Sequence, residues 1–226
     1  MDTIIMRGKP VADVYREAIS KKITEAKVIS TIKKLNRNRY VSGIMPMMPM
    51  PKHINGDNVG AAISPNKDVD CLNPQNIGDV FMGRSRFAAC TPRACMATLE
   101  HYGIELEGKR VAVIGRSNVV GKPVSVLLLQ KNATPTICHS RTQNLSELLK
   151  EADIIVAALG KPCFVKPEMV KEGVVIVDVG INAVDGKLVG DVDPAVEAKA
   201  SAFTPVPGGI GVVSNMMLME CLTRHL

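Results

Sequence analysis

The chain has 226 residues, 46% hydrophobic and 22% charged, with 18 Gly and 14 Pro. That balance excludes a disordered tail, a collagen-like repeat and a coiled-coil rod, and the length allows one large domain or two small ones. A net charge of +6 suits a phosphate-bearing or polycarboxylate ligand, while 3% aromatic residues and no Trp leave little to stack on nucleic acid bases.

From Pro10 to about Asn36 apolar residues recur at helical spacing, which predicts one long helix or two abutting ones. A short strand over Tyr40–Met45 is expected next. Pro46, Pro49 and Pro51 then forbid helix, and the methionines between them read as hydrophobic packing. Residues 52–90 read as loop-rich, with Asn-Gly at 55–56 and Asn-Pro at 73–74 as turn signals. A helix from about Pro92 to His101 ends at Gly103.

From Lys109 the pattern becomes regular β/α alternation. Strands are expected at 110–115, 133–140, 153–160, 174–180 and 201–206, and helices at 122–130, 145–151 and near 167–171, with a closing helix over 212–226. Near-continuous apolar strands separated by helices predict an α/β fold with a parallel, Rossmann-like sheet covered on both faces.

The six cysteines, at 71, 90, 95, 138, 163 and 221, have neither CxxC nor zinc-ligand spacing, so free thiols in a reducing cytosol are expected and no metal. No signal peptide is visible at the start, and no apolar run approaches the roughly 18 residues of a membrane span. A soluble cytoplasmic protein is the expectation, bound to neither membrane nor nucleic acid.

The strongest local signal is the turn from Gly115 to Pro123 after the first strand of the series. Glycines there let backbone N–H groups approach a pyrophosphate at a helix N-terminus. The spacing Gly115–x5–Gly121 departs from G-x-G-x-x-G, so a tight turn without a ligand stays open. A sheet that binds NAD carries an acid at the end of its second strand; here that end reads Cys138-His139-Ser140-Arg141-Thr142. Ser140, Arg141 and Arg116 suit a ribose 2′-phosphate, which favours NADP, unless the arginines are merely solvated. His139 is either an acid–base group or, more ordinarily, a structural one. Asp178, inside an apolar strand, either orients the Gly180-Ile181-Asn182 loop near a nicotinamide or is a satisfied buried carboxylate.

The segments GRSNVVGKPV, CHSRTQNL, ADIIVAALGKP, VVIVDVGIN, LVGDVD and TPVPGGIG, in this order, together with PNKDVDCLNPQNIG and CTPRACMATLEHYGI, resemble the bifunctional methylenetetrahydrofolate dehydrogenase/methenyltetrahydrofolate cyclohydrolase family (FolD). The resemblance runs from about Ser42 to Ile210. It implies NADP-dependent oxidation of 5,10-methylenetetrahydrofolate in one-carbon metabolism feeding purine biosynthesis, and a homodimer. It also implies a folate-side carboxylate at Asp70, substrate contacts at Gly208 and Gly209, and cofactor contacts at Gly115, Arg116, Ser117, Ser140, Arg141 and Ile181. A reduced folate and catalytic domain over 1–103, completed by helix 212–226, and a cofactor domain over 104–211 are expected.

The departures bear on chemistry. The family's strand–helix–strand with its Tyr and Lys motif has no counterpart between the two helical stretches of 10–36, and no lysine follows Tyr40 at the motif spacing. The family's glutamine falls on Met47, its KDVDG glycine is Cys71, and its GVGPMT reads Gly209 to Ser214 as GIGVVS. No catalytic residue is therefore assigned, and impaired cyclohydrolase activity is expected. The alternative is a non-catalytic NADP-binding paralogue, with an oxidoreductase rebuilt around the methionines as a third reading.

Overall fold

The computed structural model describes residues 22–48, 50–84 and 88–223. The first helical stretch, through residue 21, lies outside them. Thr24 is extended (φ −94°, ψ 155°) and its Oγ1 accepts the Lys27 N–H, so helix α1 (Glu25–Arg37) starts afresh there. A single continuous helix to Asn36 is thereby corrected: the threonine satisfies one of the orphan N–H groups of a new N-terminus. The α1 face carrying Val28, Ile32 and Leu35 packs on Ile44, Ile54, Val59 and Ile63.

The strand expected over Tyr40–Met45 shrinks to one parallel bridge, Ile44 with Asp68. Asn38 instead organises a turn by accepting the Tyr40 N–H, and Pro46 ends the extended segment.

The stretch expected to be loop-rich holds helix α2 (Gly56–Ala62), a 3₁₀ turn (Pro65–Lys67) and helix α3 (Pro74–Phe81). The two turn signals are helix caps. Asn55 accepts the N–H groups of Asp57 and Asn58, and Asn73 accepts that of Gln75 with Pro74 in the first turn. An Asx side chain folding onto the N–H two residues on begins a turn or a helix alike. Helix α4 (Cys90–His101) ends before Gly103, at φ +64°.

Strands β1 (Arg110–Ile114), β2 (Thr134–Cys138), β3 (Ile154–Ala157), β4 (Val174–Asp178) and β7 (Ala200–Phe203) form one parallel sheet in the order β2-β1-β3-β4-β7. Helix α5 (Gly121–Gln130) joins β1 to β2 and α6 (Leu145–Glu151) joins β2 to β3. Val111, Val113, Ile154 and Val156 face α4, α5 and the closing helix α7 (Ile210–Thr223), whereas Ala112, Ile114, Ile155 and Ala157 pack with Leu149, Val165 and Val196 on the other side. Apolar residues at successive positions of these strands follow from burial on both faces.

An antiparallel hairpin, β5 (Asn182–Val184) with β6 (Lys187–Val189), stands where no element was expected. Its turn, Asp185-Gly186, has both residues at positive φ, the geometry that favours Asp-Gly in two-residue hairpins. The helix near 167–171 is a single 3₁₀ turn, Pro167–Met169. Helix α7 lies on α4: Ser214 Oγ donates to Thr91 Oγ1, and Arg93 reaches the Met217 carbonyl, Cys221 and Glu220. Among the described residues no helix is long and apolar enough to cross a membrane.

Candidate active site

The register aligns Ile114, Cys138, Ala157 and Asp178, so the loops that follow these residues emerge along one edge. Strands β2 and β3 flank β1 on opposite sides, which opens a crevice beyond its carboxyl end. Gly115 and Gly121 line it and touch one another. A Cβ on Gly115, which has φ +137°, would stand 2.3 Å from the Ala158 carbonyl oxygen. One on Gly121 would stand 2.1 Å from the Gly115 oxygen. Ser117 Oγ accepts the Val120 N–H (3.0 Å) and holds the loop against the start of α5.

At the end of β2, Thr142 Oγ1 accepts the His139 N–H and His139 Nδ1 accepts the Arg141 N–H at 3.2 Å. The imidazole is thus an organiser of its own turn, the structural of its two readings. Ser140, Arg141, Arg116 and Ser117 are exposed on this edge, and neither arginine has an ion-pair partner among the described residues. A cradle that no Cβ could share, with free guanidiniums and no acid at the second strand, fits a nucleotide with a 2′-phosphate.

Asp178 is the satisfied buried carboxylate of its two readings. It accepts the N–H groups of Gly180 (2.9 Å), Asp191 (3.0 Å) and Val192 (2.9 Å). Burial raises its pKa, against the pull of those three bonds. Asp191, which no motif reasoning had singled out, accepts from Leu159 (2.6 Å), Gly160 (2.9 Å), Lys161 (2.8 Å) and the Asn182 amide (2.9 Å). It sets the loop after β3 and ties it to the hairpin. Its sequence signal was only an acid within the run LVGDVD. Ile181 is exposed, and its Cδ1 lies 3.7 Å from where a Cβ on Gly211 would stand, in the first turn of α7.

Asp70 is 8% exposed, and its Oδ1 accepts the Cys90 N–H at 2.9 Å. Burial raises its pKa; the bonds from Cys90 oppose the shift. Its neighbours in the motif are structural. Asp68 accepts from Leu72, Asn73 and Asn76, and Lys67 Nζ donates to the carbonyls of Leu35, Asn36 and Asn38 at the end of α1. Lys67 is therefore committed as a helix cap. Cys71 occupies the left-handed region (φ +53°), which explains why a glycine suits this position.

Gly208 (φ +102°) and Gly209 make the turn into α7; a Cβ on Gly209 would stand 2.4 Å from the Pro205 oxygen. They border a cleft of about 730 Å³ that runs along β4 and β7 past Thr98, His101 and Tyr102. Neither Asp70 nor any of the nucleotide-edge residues lines this cleft. Met47 is 76% exposed, and Tyr40 is exposed with the Arg39 guanidinium over its ring.

Sheet, crevice and cradle define a nucleotide-binding α/β protein. The family model for the tetrahydrofolate dehydrogenase/cyclohydrolase NAD(P)-binding domain matches residues 89–226, and that for the catalytic domain of the same enzymes matches residues 11–70. The chain belongs to the tetrahydrofolate dehydrogenase/cyclohydrolase family. It is 49% identical over 208 residues to the bifunctional protein FolD of Ruminiclostridium cellulolyticum, covering 91% of this chain and 73% of that one. The FolD protein of Lactobacillus helveticus is 49% identical over 215 residues, 95% and 76% of the two chains. Among solved structures, the Campylobacter jejuni FolD dehydrogenase/cyclohydrolase superposes with a TM-score of 0.87 at 37% identity, over 97% of this chain and 84% of that one. The Trypanosoma brucei enzyme, complexed with NADP cofactor and inhibitor, gives 0.84 at 35% identity over 90% and 72%.

Proposed function

We propose that this chain carries out its family's NADP-dependent oxidation of 5,10-methylenetetrahydrofolate, with the following cyclohydrolase step to 10-formyltetrahydrofolate impaired. The observation that carries the reading is an acid-free phosphate cradle and a buried carboxylate, Asp70, in one chain of this family. Gly115, Arg116, Ser117, Ser140 and Arg141 bind the nucleotide, and Ile181 packs beside its reactive end. Asp70 takes the amidine-like N–H edge of the pterin, and the Gly208-Gly209 turn lets backbone approach the substrate. NADP supplies the hydride acceptor. The protein's share is to hold the two partners in contact and to exclude water, work that needs no proton donor.

Hydrolysis of the methenyl product makes other demands, since water must be activated and protons moved. Met47 offers a thioether where the family has an amide, and Lys67 is held by three carbonyls. The division into a folate part (1–103 with helix 212–226) and a nucleotide part (104–211) accompanies this reading. So do a place in one-carbon supply to purine biosynthesis and residence in a reducing cytosol, the latter supported by six free cysteines. A homodimer is supported by exposed Val212, Met216 and Met219, which follow one another along α7.

Two assays on one preparation test the proposal: NADPH formation from methylenetetrahydrofolate, and decay of added methenyltetrahydrofolate. Hydride transfer with methenyl decay at the buffer rate is expected. NADP binding without any NADPH formation would favour the non-catalytic paralogue, and rapid methenyl decay would overturn the impairment.

A further inference from the structure

Two thiols away from the nucleotide edge are in contact. Cys90 opens α4 and Cys221 lies near the end of α7; both are buried, and they share a small cluster with Val69. Arg93 Nη1 stands 3.0 Å from Cys221 Sγ, and the same guanidinium pairs with Glu220. Each sulfur acts on the other. Cys90 lowers the Cys221 pKa to about 7, with burial opposing and the Arg93 charge assisting. The Cys90 pKa is raised by Cys221 and by burial. Cys90 therefore holds its proton the more tightly, and Cys221 is the more acidic sulfur of the pair. Cys90 also adjoins the folate side: its N–H donates to Asp70 Oδ1 at 2.9 Å, and its Sγ lies 3.6 Å from the Val69 oxygen.

We propose that Cys90 and Cys221 are a peroxide-oxidisable dithiol whose closure to a disulfide weakens folate binding at Asp70. The coupling to folate rests on the Asp70 assignment made above; the disulfide itself does not. The Cys221 thiolate attacks one oxygen of hydrogen peroxide, the O–O bond breaks, and Cys221 becomes a sulfenic acid with release of hydroxide. Cys90 sulfur then attacks the sulfenic sulfur; the S–S bond forms, the S–O bond breaks, and the Cys90 proton leaves with the oxygen as water. The dithiol loses two electrons to the peroxide, which ends as water and hydroxide. Both sulfurs are buried, so a peroxide, being small, would reach them during local opening of the fold.

Closure has a mechanical consequence. Two unbonded thiol sulfurs stand well outside the ~2.05 Å of a disulfide, so bonding draws the first turn of α4 towards α7. Cys90 then gives up the Val69 oxygen, and the N–H that holds Asp70 moves with it. The nucleotide cradle is built on β1, α5 and β2 and is untouched.

The test uses a Cys163→Ser chain, which removes the half-exposed thiol, treated with hydrogen peroxide and then freed of it. Non-reducing peptide mapping should yield a Cys90–Cys221 cross-linked peptide that dithiothreitol reverses. Affinity for 5-formyltetrahydrofolate should fall about tenfold on oxidation, the scale of one lost hydrogen bond, while NADP affinity holds. Cys90→Ser and Cys221→Ala, each on that background, should form no cross-link and show no peroxide effect on folate binding. Absence of the 90–221 peptide, or cross-links to other cysteines instead, would overturn the dithiol. Unchanged folate affinity in the cross-linked chain would overturn the coupling. A reduced chain that binds no folate would overturn the Asp70 assignment and the coupling with it, and the mapping would still decide the disulfide.

Discussion

Asp178 Oδ1 accepts the backbone N–H of Asp191 at 3.0 Å, and the Asp191 side chain in turn holds the loop after β3 by three N–H groups. One carboxylate positions the next, so β4, the hairpin and the β3 loop meet as a single unit at the sheet's carboxyl edge. Glycines make room for both: a Cβ on Gly190 would stand 1.9 Å from Asp178 Oδ2, and one on Gly180 would stand 2.2 Å from Asp191 Cγ. Gly190→Ala is expected to destabilise the protein by about 3 kcal/mol, with Asp191→Ala costing about as much through orphaned buried N–H groups. Denaturant unfolding of the two variants checks this, and a cost under about 1 kcal/mol for either would contradict the arrangement.

Asp70 sets stability against function. Its folded pKa lies above the unfolded value because burial disfavours the charge. The folded state therefore holds its proton more tightly, and stability falls as pH rises from the unfolded pKa through the folded one. Asp70→Asn keeps an oxygen for the Cys90 N–H and removes that loss. The variant should match the parent in acid, become the more stable of the two near neutral pH, and lose folate binding. Thermal unfolding across pH, with a folate titration at pH 7, measures both halves.

Cofactor choice should follow the free guanidiniums. NADP is expected to bind more tightly than NAD, and Arg116→Ala or Arg141→Ala should each cost NADP roughly 10–100-fold while barely changing NAD. Calorimetric titration of both nucleotides decides it; equal affinities in the parent would remove the argument from the acid-free β2 end.

Restoring one group should not restore the hydrolysis. Met47→Gln returns the amide but no lysine, and members of a catalytic unit do not act additively. Methenyltetrahydrofolate decay by this variant should stay near the buffer rate. A rise of about 10²-fold or more would mean that the amide alone suffices.

What the sequence determined by itself is the nucleotide half. Near-continuous apolar runs at 110–115, 153–160 and 174–180 leave a doubly covered parallel sheet as the natural arrangement, and the Gly115–Gly121 turn and acid-free β2 end are local features legible one residue at a time. Asp-Gly at 185–186 carries a hairpin signal as well, but the three-residue strands beside it are too short to show an alternating pattern, and the hairpin went unexpected. What tertiary structure decided is everything that depends on a distant partner. Asn55 and Asn73 carry the same short-range chemistry in a turn or at a helix start, and only packing of α2 against α1 and α3 against α5 selects the helix. Tyr40–Met45 has strand-like residues but finds a single bridge, at Asp68, so it stays extended without a ladder. Lys67 and Asp191 look like any surface charges until the carbonyls and N–H groups they satisfy are brought to them across the chain, because a hydrogen-bonding group states what it can bind and only the fold states what stands beside it.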